Sequence, residues 1–309
     1  MVWAILDSAE GIRVLYQLTA PRYEADIAPL MDALVSNLAK WITACLQAHQ
    51  RGALFDPFDL PDVPVRTSPA GVKRPALQLL DLGAGTGALS HHLMVLGWQA
   101  LTALDLSPEM LSAGQKSHSQ MRWLQANLHQ IPLKPHTFDG AVSAFGLNAT
   151  SPKLSLRQIK QTLRPGGLLM YQEWGAEDEL SHLVEETLDQ FAPDLPLEAN
   201  PALVAFMESP KVWYEQLQDA DDHTEVLRQI GFDLAWAQER PFVSSTLPVE
   251  QFLRGKLAWG WRRLRLETLP PPQQALFYAH LQEALRPHQD SQGNLRWSPP
   301  LIRVCALKE

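Results

Sequence analysis

The sequence predicts an α/β fold built on a parallel sheet, and three observations predict it. From residue 76 onward, short apolar runs alternate with segments of helix length, the pattern of strands joined by crossover helices. The first of those runs leads directly into a glycine-rich turn. The chain also has the size for such a core: 309 residues, 46% hydrophobic and 19% charged, bury enough apolar surface to fold without disulfide or metal staples.

Taken in chain order, Ile27, Leu30, Met31, Leu34, Leu38, Trp41, Ile42 and Cys45 recur at helical spacing, so 27–46 reads as an amphipathic helix within an N-terminal helical extension, 1–55. Pro57, Pro61, Pro64, Pro69 and Pro75 each fix φ and remove a backbone donor, which makes 56–75 a proline-rich linker. A second domain then spans 76–309. Its candidate strands are 76–82, 100–105, 121–125, 138–144 and 167–173, with two more near 233–239 and 301–307. Segments 176–222 and 244–298 exceed ordinary loop length and read as helical insertions.

Charge and composition exclude several classes. A formal net charge of −8 repels phosphate backbones, so nucleic acid is not expected as a partner. Cys45 and Cys305 have neither metal-ligand nor disulfide spacing, and no metal is expected. No apolar run spans a bilayer, and the leading MVWAILDSAEG carries acids where a signal peptide would be basic. The expectation is a cytoplasmic protein without integral membrane association, monomeric or homodimeric.

The strand ALQLLDL runs into Gly83-Ala84-Gly85-Thr86-Gly87 and then a helix-compatible segment. Glycines at a strand-to-helix turn let a ligand approach the backbone, and the exposed N–H groups of the helix start favour an anionic or polar group. Asp105 closes the next strand, where a carboxylate can accept hydrogen bonds from two ribose hydroxyls. Together these make a nucleoside-binding crevice. Two other readings stay open at this point: Gly83, Gly85 and Ala88 also fit the dinucleotide pattern, and Asp81 and Asp105 could serve as helix caps, although their joint placement argues against capping as their sole role.

Four segments taken together resemble the class I S-adenosylmethionine-dependent methyltransferases, in particular the small-molecule branch related to ubiquinone and menaquinone methyltransferases. They are Leu80-Asp81-Leu82-Gly83-Ala84-Gly85-Thr86-Gly87, Asp105-Leu106-Ser107-Pro108-Glu109-Met110-Leu111, Phe138-Asp139-Gly140-Ala141-Val142 and Leu163-Arg164-Pro165-Gly166-Gly167. The resemblance implies a Rossmann-like, seven-stranded, mostly parallel sheet with an antiparallel last strand, helices on both faces, and S-adenosyl-L-methionine as cofactor. It further implies that Asp81 helps hold the methionine ammonium, that Asp105 binds ribose, that Leu106 and Met110 lie by adenine, and that Tyr23 covers the methionine end. Where the family usually has an aspartate for the adenine amino group, Ala126-Asn127-Leu128 offers an amide oxygen instead, a weaker acceptor.

Phe145 and Asn148 follow the fourth strand and are expected to line the site of methyl transfer, Phe145 among the cofactor-binding residues and Asn148 with Trp174, Trp213 and Trp261 among the acceptor-pocket residues. His129, Glu173 and His182 are the polar groups from which a base would be drawn, and nothing in the sequence chooses among them. Val249, Leu253, Leu257, Trp261 and Leu264 form one helical stripe opposite Arg254, Arg262 and Arg265, read either as a solvated basic face or as a lid attracting an anionic acceptor. The function expected is methyl transfer to an oxygen, nitrogen or carbon of a small molecule. The alternatives are a catalytically silent cofactor-binding partner protein and an NAD(P)-dependent oxidoreductase.

Overall fold

The computed structural model describes residues 2–52, 56–59, 77–192, 200–208, 213 and 216–308, without the side chains of residues 2–8. Most of the proline-rich linker expected at 56–75 lies outside the described residues. The chain forms two compact units: Leu34–Gly175 with Pro210–Arg240 and Leu301–Glu309, and Met1–Ala33 with Ala176–Ser209 and Pro241–Pro300. Among the described residues no helix is long and apolar enough to cross a membrane.

The first unit is built on a seven-stranded sheet: β1 (Leu79–Leu82), β2 (Leu101–Asp105), β3 (Arg122–Gln125), β4 (Phe138–Ala144), β5 (Leu163–Trp174), β6 (Leu234–Arg240) and β9 (Leu301–Lys308). Their order is β3-β2-β1-β4-β5-β9-β6. The first five pair in parallel, and β9 runs antiparallel to both β5 and β6. β1 is buried throughout, which is why it reads as an unbroken apolar run rather than an alternating one. Leu163-Arg164-Pro165-Gly166-Gly167 enters β5 through a register shift against β4, with Gly166 at φ +76°. The helices of this unit are α2 (Ala28–Gln50, from Leu34 on), α3 (Ala88–Val95), α4 (Pro108–Ser117), α5 (Pro152–Thr162) and α8 (Ala220–Ile230).

The apolar stripe read at 27–46 is buried: Leu34, Leu38, Ile42 and Cys45 are fully covered, each aliphatic side chain contributing about 1.5–3 kcal/mol by leaving water. Residues 34–50 thus pack within the sheet unit, where Trp98 Nε1 donates to Thr43 Oγ1 at 3.0 Å. The opposite face buries Leu169, Tyr171, Ile302 and Val304 with Leu156, Ile159, Trp213 and Leu227.

The second unit holds α1 (Val2–Arg22), a π-helical turn (Tyr23–Ile27), α6 (Glu179–Phe191), α7 (Pro201–Glu208), α9 (Val249–Leu257), α10 (Gly260–Glu267) and α11 (Pro271–Leu285). It is not purely helical, because β7 (Ser245–Pro248) pairs antiparallel with β8 (Asn294–Trp297). The stripe from Val249 to Leu264 is not one helix either. Trp259 takes an extended conformation, φ −57° and ψ 132°, and α10 starts afresh at Gly260. A Cβ on Gly260 would lie 2.7 Å from Leu18 Cβ, so glycine is what lets α1 approach the break.

This break overturns the solvated basic face. Arg265 is buried, donating to Ala192 O at 2.5 Å and Asp189 Oδ1 at 2.6 Å. Arg262 bonds Glu185 and Lys256 O. Both guanidinium groups flank Trp261, at 4.7 and 5.7 Å from its ring. Only Arg254 of the three is exposed. Arg262 and Arg265 are committed to α6 and cannot serve as a patch for an anionic acceptor.

Candidate functional site

The strand order reverses between β1 and β4, and an open α/β sheet gathers its ligand site at the carboxyl ends of the strands on either side of such a point. Two loops meet there. Gly83, at φ +62°, follows β1, and a Cβ on it would lie 2.6 Å from Gly146 Cα in the loop after β4. The second loop is pinned from below: Ser143 Oγ donates to Leu82 O at 2.7 Å and accepts from Gly146 N–H at 3.2 Å.

The glycine turn itself is left-handed at Gly83, Gly85 and Gly87, with Ala84 N–H donating to Leu104 O at 2.9 Å. Such φ values are open to glycine and strained for other residues. Asp81, fully buried, accepts from Ser90 N–H and Ser90 Oγ through Oδ2, at 3.1 and 2.7 Å, so it caps the first turn of α3. Its Oδ1 has no hydrogen-bond partner among the described residues. Burial pushes the carboxyl up to about 7, against the pull of the Ser90 bonds.

Asp105 uses both oxygens. Oδ2 accepts from Gly85 N–H and Oδ1 from Ser107 N–H, each at 2.8 Å, and burial raises its pKa above the ordinary carboxylate value. The capping alternative is therefore realised in Asp81 and not in Asp105, whose partners lie outside the helices, and in both acids a carboxylate oxygen with one hydrogen bond can accept another. Ser107 Oγ caps α4 at Met110 N–H, 3.2 Å, with Pro108 at the first helical position. That places the buried Met110 under the turn, its Cε 3.2 Å from where a Cβ of Gly85 would stand. Leu106 stays partly exposed.

Beyond β3, Ala126 and Leu128 are buried and Asn127 is half-exposed. Asn127 Oδ1, the acceptor expected to face an amino group, accepts from His129 N–H at 2.9 Å and keeps a second lone pair. His129 Nε2 accepts from Ser151 N–H at 2.9 Å, which puts the ring proton on Nδ1 and leaves no free nitrogen lone pair for a base.

After β4, Phe145 holds a φ of +61°, a conformation that costs a non-glycine residue about 1–3 kcal/mol and clusters at functional sites. Its ring stacks on Trp174 at the end of β5, centroids 4.3 Å apart and planes 25° apart. Asn148 Nδ2 donates to Phe145 O at 3.2 Å and to Glu173 Oε2 at 3.0 Å, while Glu173 Oε1 accepts from Leu147 N–H at 2.9 Å. Glu173 is fully buried, and burial pushes its carboxyl up to about 8.

The structure thus brings together Asp81, Gly83, Ala84, Gly85, Gly87, Asp105, Leu106 and Met110 at the ends of β1 and β2, and Phe145, Asn148 and Trp174 at the ends of β4 and β5. Trp213 is not a wall residue but a core residue, buried with Tyr171 and His223 at its ring edges. Tyr23, Trp261 and His182 belong to the second unit. There Tyr23 meets Trp259 edge to face, and His182 bonds Glu177 in the open. Sequence reasoning missed Ser90, the partner that fixes Asp81, and Gly146, whose role rests on a long-range contact. Among the described residues no cluster of three or more His, Cys, Asp or Glu could hold a metal ion.

Residues 80–171 match the family described as "Methyltransferase domain". The chain is 27% identical over 173 residues to a ubiquinone/menaquinone biosynthesis C-methyltransferase of Roseobacter denitrificans, covering 52% of this chain and 68% of that protein. It is 33% identical over 108 residues to a malonyl-[acyl-carrier protein] O-methyltransferase of Pectobacterium atrosepticum, covering 35% of this chain and 42% of that one. A solved structure from Thermotoga maritima, described as an S-adenosylmethionine-dependent methyltransferase and possible histamine N-methyltransferase, overlaps with 14% identity and a TM-score of 0.45. The overlap covers 96% of this chain and all of that one.

Proposed function

We propose that this chain, whose residues 80–171 match a methyltransferase domain, is a class I S-adenosylmethionine-dependent methyltransferase that methylates a small, planar acceptor held against Phe145 and Trp174. The observation that carries the reading is the pair of acids at adjoining strand ends, Asp81 and Asp105, bracketing a turn with three left-handed glycines.

The residues present fit S-adenosyl-L-methionine. The carboxylate of Asp105, already oriented by Gly85 and Ser107, would accept the ribose hydroxyls, and Oδ1 of Asp81 would take the ammonium. Gly83, Ala84, Gly85 and Gly87 would face the amino acid moiety, Leu106 and Met110 the adenine, and Ala126, Asn127 and Leu128 its edge. Tyr23 is carried over by resemblance alone. When bound, the cofactor supplies an electrophilic methyl group for in-line displacement. The protein's part is to align the acceptor and exclude water, and the stacked rings of Phe145 and Trp174 suit that task. The relatives named above methylate at carbon and at oxygen, so the shared domain does not by itself fix the acceptor atom.

The enzyme works, in this reading, in the cytoplasm as a monomer or homodimer, on a small molecule and not on nucleic acid, in keeping with its net charge of −8. The test is S-adenosylhomocysteine release when the full chain is given S-adenosylmethionine and a panel of reduced quinones, phenols and carboxylic acids. Release that needs one acceptor class supports the reading. No release with any of them, from protein that binds the cofactor, favours the silent partner protein instead.

A further inference from the structure

Next to the Phe145–Trp174 wall lies a polar group that cofactor binding does not use. Gln172, Arg303 and Gln238 stand opposite one another on a single rung of β5, β9 and β6 and share one face of the sheet. Arg303 is 3% exposed and Gln172 fully buried. Arg303 Nε donates to Gln172 Oε1 at 2.8 Å, an Nη donates to Asn37 Oδ1 of α2 at 2.6 Å, and the guanidinium lies 5.6 Å from the ring of Trp41.

Two observations at this rung point to a ligand. Gln172 Nε2 is buried and has no hydrogen-bond partner, and an orphaned buried donor in a native fold calls for a water or an ion. The rung is also cationic: burial first, then the nearby charge of Arg240, pushes Arg303 down to about 9. Gln238 Oε1, on the other side of Arg303, is buried and unpartnered as well, and calls for a donor such as a water or a ligand hydroxyl.

We propose that Arg303 and Gln172 form a subsite for an oxyanion, the carboxylate or phosphate group of the methyl acceptor. Arginine and an amide N–H present donors only, the complement of such a group. Trp174 lies two residues beyond Gln172 on the same strand face, about 7 Å away, so a ring against Trp174 and its acidic substituent at Gln172 suit one small molecule. The subsite stands on the rung itself, while its assignment to the acceptor rests on the proposed methyltransferase reading of the wall.

The experiment titrates the full chain with sodium acetate, inorganic phosphate and benzoate at constant ionic strength by calorimetry. Wild type is compared with Gln172→Leu, Arg303→Met and Trp174→Leu. Saturable binding of acetate or phosphate is expected, at least tenfold weaker in Gln172→Leu and in Arg303→Met, and either variant alone suffices if the other does not fold. Benzoate is expected to bind more tightly than acetate, and that margin is expected to vanish in Trp174→Leu. No saturable binding, or equal binding in every folded variant, overturns the subsite. Benzoate no tighter than acetate overturns its assignment to the acceptor and leaves a free-anion site. Failure of the cofactor reading shows separately, as absent S-adenosylhomocysteine binding in the same wild-type protein.

Discussion

The carboxylate of Asp105 accepts the backbone N–H of Gly85 at 2.8 Å, tying the end of β2 to the glycine turn that follows β1. One acid therefore shapes the turn and offers its remaining lone pairs at the same crevice. Gly85 holds φ +56° with Met110 Cε 3.2 Å from its vacant Cβ position, so a side chain there is strained and crowds both Met110 and the ligand space. Gly85→Val is expected to lose S-adenosylhomocysteine binding while costing about 1–3 kcal/mol of stability. Calorimetry on the folded variant checks it, and normal affinity would remove the turn from the cofactor cradle.

In the proposed reading, with Asp81 holding the ammonium, affinity is expected to depend on pH. Its carboxyl titrates at about 7, and only the ionised form attracts an ammonium group. S-adenosylhomocysteine affinity is therefore expected to rise between pH 6 and pH 8, and the rise to flatten in Asp81→Asn. Parallel pH profiles for the two proteins would assign the ammonium elsewhere.

Glu173 makes stability depend on pH in the opposite sense from an ordinary acid. Its folded pKa of about 8 lies above the ordinary 4.5, so between those values the native state holds more protons than the unfolded one. Its stabilising contribution is complete below about pH 4.5 and is lost as pH rises through 8. Glu173→Gln is expected to gain in melting temperature relative to wild type from pH 6 to pH 9. A constant difference across that range would mean that Glu173 does not titrate there.

Much of this molecule is legible in its sequence because parallel strands covered on both faces leave continuous apolar runs, as in Leu79–Leu82, and because glycine turns and capping serines mark their ends. The Val249–Leu264 stripe misleads for a definite reason. Its periodicity runs on through Trp259 and Gly260, where the approach of α1 ends one helix and starts another, and that contact leaves no local trace. Arg262 and Arg265 accordingly read as a surface face, although their partners Glu185 and Asp189 lie on α6. Trp213 looked like pocket wall because aromatic composition alone does not tell a wall from a core. Arg303 had a signal that went unread: a lone charge inside the apolar run Leu301-Ile302-Arg303-Val304-Cys305. The positive φ of Phe145 and the contact of Gly83 with Gly146 exist only once β1 and β4 are neighbours.

The most direct test of the central claim is titration calorimetry of wild type and Asp105→Ala with S-adenosylhomocysteine and, separately, NADH. The account predicts that wild type binds S-adenosylhomocysteine and not NADH, and that losing a charged acceptor to two hydroxyls weakens binding about ten- to a hundredfold in the folded variant. Tighter binding of NADH, or unchanged S-adenosylhomocysteine affinity in folded Asp105→Ala, would contradict it.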